Sequence, residues 1–198
     1  MADDVRTRIL GATVDCLGRF GIAKTTVDDA AKAAGVSRAT VYRYFPDGKD
    51  ELLAAAIEAA VAGFFTELAV AVDDAPDLAT LLERAIRVSH RMVEEHAVLQ
   101  KVAETEPERL MPQLSQSAPL VKEAIGAYFA EKLAGVALRD GLTVAEAADW
   151  LARMGLSFVF GGGRWDLDDP VAVARLVREE LLVAILAEPP GPAEPPDR

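Results

Sequence analysis

Ser37, Arg38, Thr40, Tyr42 and Arg43 bring hydroxyl, phenol and guanidinium groups together within one short stretch, with Tyr44 and Lys49 close behind. On a helix this set leaves a polar outward face. Its donors lie near an N-terminus whose free N–H groups and dipole already favour an anion. That is the chemistry of nucleic-acid recognition. Arg38 and Arg43 can each pair bidentately with guanine O6 and N7 in a major groove, at roughly 1–3 kcal/mol of discrimination. Ser37, Thr40, Tyr42 and Tyr44 suit phosphate oxygens or methyl packing, and Lys49 suits phosphate. A plainer reading stands beside this one, with Ser37 and Thr40 as caps, Tyr44 and Phe45 as packing, and Lys24 and Lys32 as solvated cations. No apolar stripe requires Tyr42 or Arg43, because Val41 already supplies the inward position.

Catalytic and metal chemistry find less support. His90 and His96 are six positions apart and project to different faces of a helix, while His90 with Glu94 offers two ligands where a metal site needs more. Gly161-Gly162-Gly163 lacks the Lys-Ser/Thr of a phosphate-binding loop and follows a helical pattern, so an interhelical turn is expected there. No serine sits in a Gly-x-Ser-x-Gly setting. The single cysteine, Cys16, lies among Ile9, Leu17 and Phe20 and can form no intrachain disulfide. The expectation is a chain that is not an enzyme and uses neither metal nor cofactor.

A helix presenting such a face must be held by a second helix crossing it closely. That arrangement needs a small residue at the crossing, a turn residue tolerant of positive φ, and an apolar residue packing back. Ala31, Gly35 and Val41 meet these needs at spacings of four and six. The supporting helices are legible around them. Val5 to Phe20 steps Ile9, Ala12, Cys16 and Phe20 along one face and closes at Gly21. A second helix starts at Thr25 or Thr26, each with an aspartate three residues on, and ends at Gly35. Ser37 is the natural N-cap of a third, which runs to about Tyr44 and stops at Phe45-Pro46-Asp47-Gly48. From Lys49 to about Val72 a helix of roughly 36 Å leads away, broken by Asp73-Asp74-Ala75-Pro76.

Residues 9–53, and above all TTVDDAAKAAGVSRATVYRYFPDGKDELL, resemble the DNA-binding signature of the TetR family. The resemblance implies a three-helix DNA-binding domain followed by a larger helical domain that binds a small molecule and dimerises, usually as a ligand-released repressor. Carried over by position, it makes Ser37 to Tyr44, Ala39 included, the recognition helix, with Thr26 and Lys49 on backbone phosphate. In one departure from the family's usual spacing, Asp47-Gly48 adds about one residue before Lys49.

The remaining sequence fits that layout. Of the chain's 198 residues 51% are hydrophobic and only 6% aromatic, and alternating β-branched runs are sparse, so an all-α fold is expected. The net charge of -11 is segregated: residues 1–50 carry one more basic than acidic side chain, and the acid lies beyond. Domains are expected at 1–48 for DNA binding and 49–187 for ligand binding and dimerisation, with a disordered Pro-rich tail over 188–198. Further helices are expected over Leu78 to about His96, a short segment to Glu104, Leu120 to Leu138 after a Pro-marked stretch, Val144 to Phe160, and Val171 to Leu186.

Phe64, Phe65, Leu68, Val121, Ile125, Tyr128, Phe129, Met154 and Phe158 form a bulky apolar set, with Gly63, Gly126 and Gly155 leaving room and His96, Gln100, Tyr128 and Trp150 as polar anchors. The same residues suit an ordinary packed core. If they line a cavity, their shortage of charge favours an apolar or amphipathic effector. The last two helices are apolar on more than one face, so they are either central or at an interface. The resemblance favours a homodimer, which would set two recognition helices about one DNA turn apart on a palindromic double-stranded operator. An activator, a ligand-independent regulator and a helical sensor that has lost DNA binding remain open alternatives. The N-terminus lacks the order of a signal peptide, and no run of ~18 apolar residues is found, so a soluble cytoplasmic protein away from membranes is expected.

Overall fold

The computed structural model describes residues 2–159 and 163–188. The expected tail, from residue 189 onward, and Phe160, Gly161 and Gly162 lie outside them. The described chain is all-α: α1 (Ala2–Lys24), α2 (Val27–Ala34), α3 (Arg38–Tyr44), α4 (Lys49–Val72), α5 (Leu78–Glu95), α6 (Ala97–Thr105), α7 (Pro107–Lys132) and α8 (Val144–Val159). It ends in α9 (Pro170–Leu176), which continues through a π-helical stretch (Val177–Leu182) into a last turn, α10 (Val183–Ile185).

Packing divides the chain into two units, one of residues up to Thr66 together with Glu94–Pro119, the other of Glu67–Val93 with the chain from Leu120. The first unit is larger than residues 1–48. Leu52 and Ala56 of α4 join Ile9, Ala30, Ala31, Val41 and Phe45 in one core, and Leu53 and Ile57 join Leu17, Ile22, Val102 and Leu110 in another. The second unit has one core, built from Phe129 and Leu133 of α7, Ala147 and Leu151 of α8, and Val173, Leu176, Leu181 and Ile185 of the last helical run. Most apolar residues of that run are therefore spent inside the protomer, while Val171 and Val183 remain exposed.

Several elements differ from the sequence expectation. Gly21 interrupts α1 but not as a left-handed cap: its φ of 80° comes with ψ of 173°, and helical structure resumes to Lys24. α7 runs unbroken through Pro112 and Pro119 from Pro107 and stops at Lys132, short of Leu138. Each internal proline removes one helical N–H. Both rings are exposed, as are Glu108 and Ser115 four residues earlier, so the freed carbonyls can turn to water. Leu138 instead pairs with Leu186 in an isolated antiparallel bridge, flanked by Arg139 N–H donating to the Ile185 carbonyl and Ala187 N–H to that of Ala137.

α4 is long and apolar enough to cross a membrane by length and composition, which a search for an unbroken apolar run misses because Glu58 and Glu67 interrupt it. At its ends Leu52, Leu53, Ala56 and Ile57 enter cores of the first unit and Val72 that of the second, whereas most of the apolar stretch between them, Val70 included, is not buried.

Candidate nucleic-acid interface

α2 is a short helix held at both ends by local chemistry. Between the two threonine candidates the structure selects Thr26: its Oγ1 accepts from Asp29 N–H at 3.1 Å, while the Asp29 carboxylate accepts from Thr26 N–H, the reciprocal arrangement of a capping box. Thr25 is buried and donates its hydroxyl to the Gly21 carbonyl at 2.7 Å. At the other end Gly35, at φ 65° and ψ 36°, closes the helix. Val36 N–H then donates to the Ala31 carbonyl and Gly35 N–H to that of Lys32. Val27, Ala30, Ala31 and Ala34 form the buried face. Methyl-sized side chains there allow α3 to approach closely.

α3 is fixed by Val41, fully buried, and by Phe45 at its C-terminal end, with Arg6 over the Phe45 ring. Ser37 caps its N-terminus: the Oγ accepts from Thr40 N–H at 3.1 Å and lies 2.9 Å from Thr40 Oγ1. Ser37 is thus the cap, and Thr40, inside the helix, is the residue whose N–H it holds. Thr40 and Tyr44 are half-buried, whereas Arg38, Ala39, Tyr42 and Arg43 face solvent. Tyr44 packs against the core and receives the Arg43 guanidinium over its ring at 5.3 Å. Cys16, as expected, is buried, and that burial pushes its thiol above the ordinary value.

Two partners of the outward face have no counterpart in the sequence reading. Arg38 donates to Asp28 of α2 at 3.1 Å and to the Tyr42 hydroxyl at 3.3 Å, and its guanidinium stacks on the Tyr42 ring. The Tyr42 hydrogen bond, with Asp28 beside it, raises the guanidinium further above its already high pKa. Gly48, the residue that lengthens the turn after α3, lies against the same ring, where an added Cβ would come 3.3 Å from Tyr42 Cε1. Arg38, Tyr42 and Arg43 thus form a face with one tethered and one less constrained guanidinium. Lys49 is half-buried and donates to the Ala23 carbonyl at 2.7 Å, so in this state its ammonium is engaged with the end of α1.

Helix α6 and its C-cap, Glu106, hold that same end of α1. Lys101 donates to the carbonyls of Gly18 and Arg19, and the Glu106 carboxylate accepts from Ala23 N–H at 2.8 Å. These contacts span more than eighty residues and carry no local sequence signal.

The apolar set divides between the units. Phe129 and Phe158 are buried in the second core, and Leu68, Ile125, Tyr128, Trp150 and Met154 pack against it. Val121 is half-buried on α7. Phe64 and Phe65 belong to the first unit, their rings edge to face at 5.1 Å. His96 and Gln100 also belong to the first unit and are exposed. His96 is the N-cap of α6, accepting from Leu99 N–H at its Nδ1. Gly126 and Gly155 have open space where a Cβ would stand. Among the described residues no group of three His, Cys, Asp or Glu side chains is arranged to hold a metal ion.

Residues 9–56 match the family model described as bacterial regulatory proteins, tetR family. An uncharacterized HTH-type transcriptional regulator of Mycobacterium tuberculosis is 30% identical over 170 residues, covering 86% of this chain and 82% of the relative. A TetR-family transcriptional regulator of Pectobacterium atrosepticum shares the fold at a TM-score of 0.59 and 22% identity, over 96% of this chain and 97% of that one. FadR of Bacillus subtilis, a transcriptional regulator solved in complex with stearoyl-CoA, does so at a TM-score of 0.53 and 18% identity, over 86% and 96%.

Proposed function

This chain belongs to the TetR family of DNA-binding transcriptional regulators, and on that premise we propose that it is a repressor released from a palindromic operator by a small apolar or amphipathic effector. The observation that carries the DNA half of this reading is the α3 face: Arg38, Tyr42 and Arg43 are exposed on a helix anchored from behind by Val41 and Phe45. Arg43 is the base-reading residue. Arg38, already tied to Asp28, positions the Tyr42 ring, and Ser37, Thr40 and Thr26 offer hydroxyls to phosphate once the protein is on DNA. Lys49 joins them if it exchanges the Ala23 carbonyl for a phosphate oxygen. The protein acts as a homodimer through its last two helices, works in the cytoplasm and catalyses no reaction.

The effector half rests on the second core, where large apolar side chains stand beside two open glycines. The stearoyl-CoA bound by the fold neighbour from Bacillus subtilis supports an amphipathic molecule as the kind of ligand this architecture accepts. Selection of bound fragments from a random duplex library at two salt concentrations, with the solution mass measured alongside, tests the reading. A palindromic site recovered by a dimer supports it. No enrichment at low salt from a well-folded dimer overturns it in favour of a helical sensor without a DNA role.

A further inference from the structure

Two buried polar atoms in the second unit have no hydrogen-bond partner, the Tyr128 hydroxyl on α7 and the Trp150 indole N–H on α8. Both residues pack against the same core. The chain's other tryptophan behaves differently, for Trp165 donates its indole N–H to Glu180 at 2.9 Å. An indole nitrogen only donates, so whatever completes Trp150 must bring an acceptor. Burial raises the Tyr128 hydroxyl above its ordinary pKa, with the Lys132 ammonium beside it working in the opposite direction. The nearby cation is already spoken for: Lys132 lies over the Tyr128 ring, and its ammonium is 2.8 Å from Asp73. Gly126 on α7 and Gly155 on α8 have no atom where a Cβ would stand, and the flexible Met154 packs against the same core.

Resting on the effector reading above, we propose that the effector carries an uncharged carbonyl oxygen on an apolar body, as in a ketone, ester or lactone, and that Trp150 Nε1 donates to that oxygen. A pure hydrocarbon leaves the indole N–H unpaired, and a carboxylate meets no free cation at Lys132. The acceptor requirement is thus a filter on ligands of similar size and hydrophobicity.

The test uses the full chain and two probes, nonan-2-one and 2-methylnon-1-ene, which differ by an oxygen replaced with a methylene. Binding is followed by the indole N–H resonances in proton–nitrogen correlation spectra, with Trp165→Phe to assign the pair. The wild type should bind the ketone roughly fivefold to tenfold more tightly than the alkene, the worth of one net hydrogen bond. Only the ketone should move the Trp150 resonance downfield, and Trp150→Phe should bring the two affinities together. Tyr128→Phe serves as a second variant with the same apolar volume and should narrow the gap less. Equal binding of both probes by the wild type overturns the carbonyl requirement and leaves an apolar effector standing. A preference that survives Trp150→Phe overturns the assignment to Trp150. Binding of neither probe up to its solubility limit removes this proposal and the apolar cavity together.

Discussion

Replacing Gly21 by alanine should destabilise the protein more than replacing Gly35, although both glycines have positive φ. Gly35 lies in the left-handed helical region with open space where a Cβ would stand, so Gly35→Ala costs about 1–2 kcal/mol of backbone strain. Gly21 combines φ 80° with an extended ψ, a region nearly closed to other residues and worth of order 1–3 kcal/mol. An alanine Cβ there would also collide with Glu106 Oε1. The carboxylate would have to swing away from Ala23 N–H, losing a hydrogen bond worth about 1 kcal/mol net. The sum is roughly 2–4 kcal/mol. Urea unfolding at one fixed protein concentration measures both variants, and a cycle with Glu106→Ala separates strain from collision. In the Glu106→Ala background Gly21→Ala should cost about 1 kcal/mol less than in the wild type. The reasoning is refuted if Gly21→Ala is no worse than Gly35→Ala, or if Glu106→Ala leaves its cost unchanged.

Arg43→Ala should weaken operator binding by roughly 1–3 kcal/mol and relax sequence preference, whereas Tyr42→Phe, which frees only the 3.3 Å bond from Arg38, should weaken it less; titration of both variants against operator and random duplex checks this. Unchanged affinity in both would remove the recognition-helix assignment. Gly126→Trp should fill the open space on α7 and blunt the response to effector while leaving DNA affinity intact, and retained effector binding in that variant would count against the cavity. The Thr143 hydrogen bonds hold the Glu146 carboxyl below its ordinary pKa at the start of α8. This capping contribution is therefore full above the usual carboxylate pKa and is lost as pH falls through the lower folded value. Carboxyl titration by nuclear magnetic resonance should show Glu146 moving back up in Thr143→Ala.

Much of the DNA-binding face was legible locally because its determinants are local. Capping, the αL turn at Gly35 and the inward Val41 depend on neighbours three to six residues away, and the bounds of α2, α3 and α4 follow from them. The sequence also carried the family resemblance, which concentrates in that segment. Where two local answers were equal, as for Thr25 and Thr26, packing decided: Thr25 is buried against the Gly21 carbonyl, leaving Thr26 free to cap.

Tertiary structure decided what local rules leave open. Proline penalises a helix but does not forbid one, and the exposed setting of Pro112 and Pro119 lets α7 continue where a break was expected. His96 carries chemistry that suits a ligand anchor or a cap, and at the start of α6 its Nδ1 accepts from Leu99 N–H. The tether of Arg38 to Asp28 joins two helices, and the hold of Lys101 and Glu106 on α1 joins residues more than eighty apart. A sequence encodes such pairs only through the fold that brings them together. The unpaired Tyr128 hydroxyl and Trp150 N–H are of the same kind, since a polar atom has or lacks a partner only once its neighbours are in place.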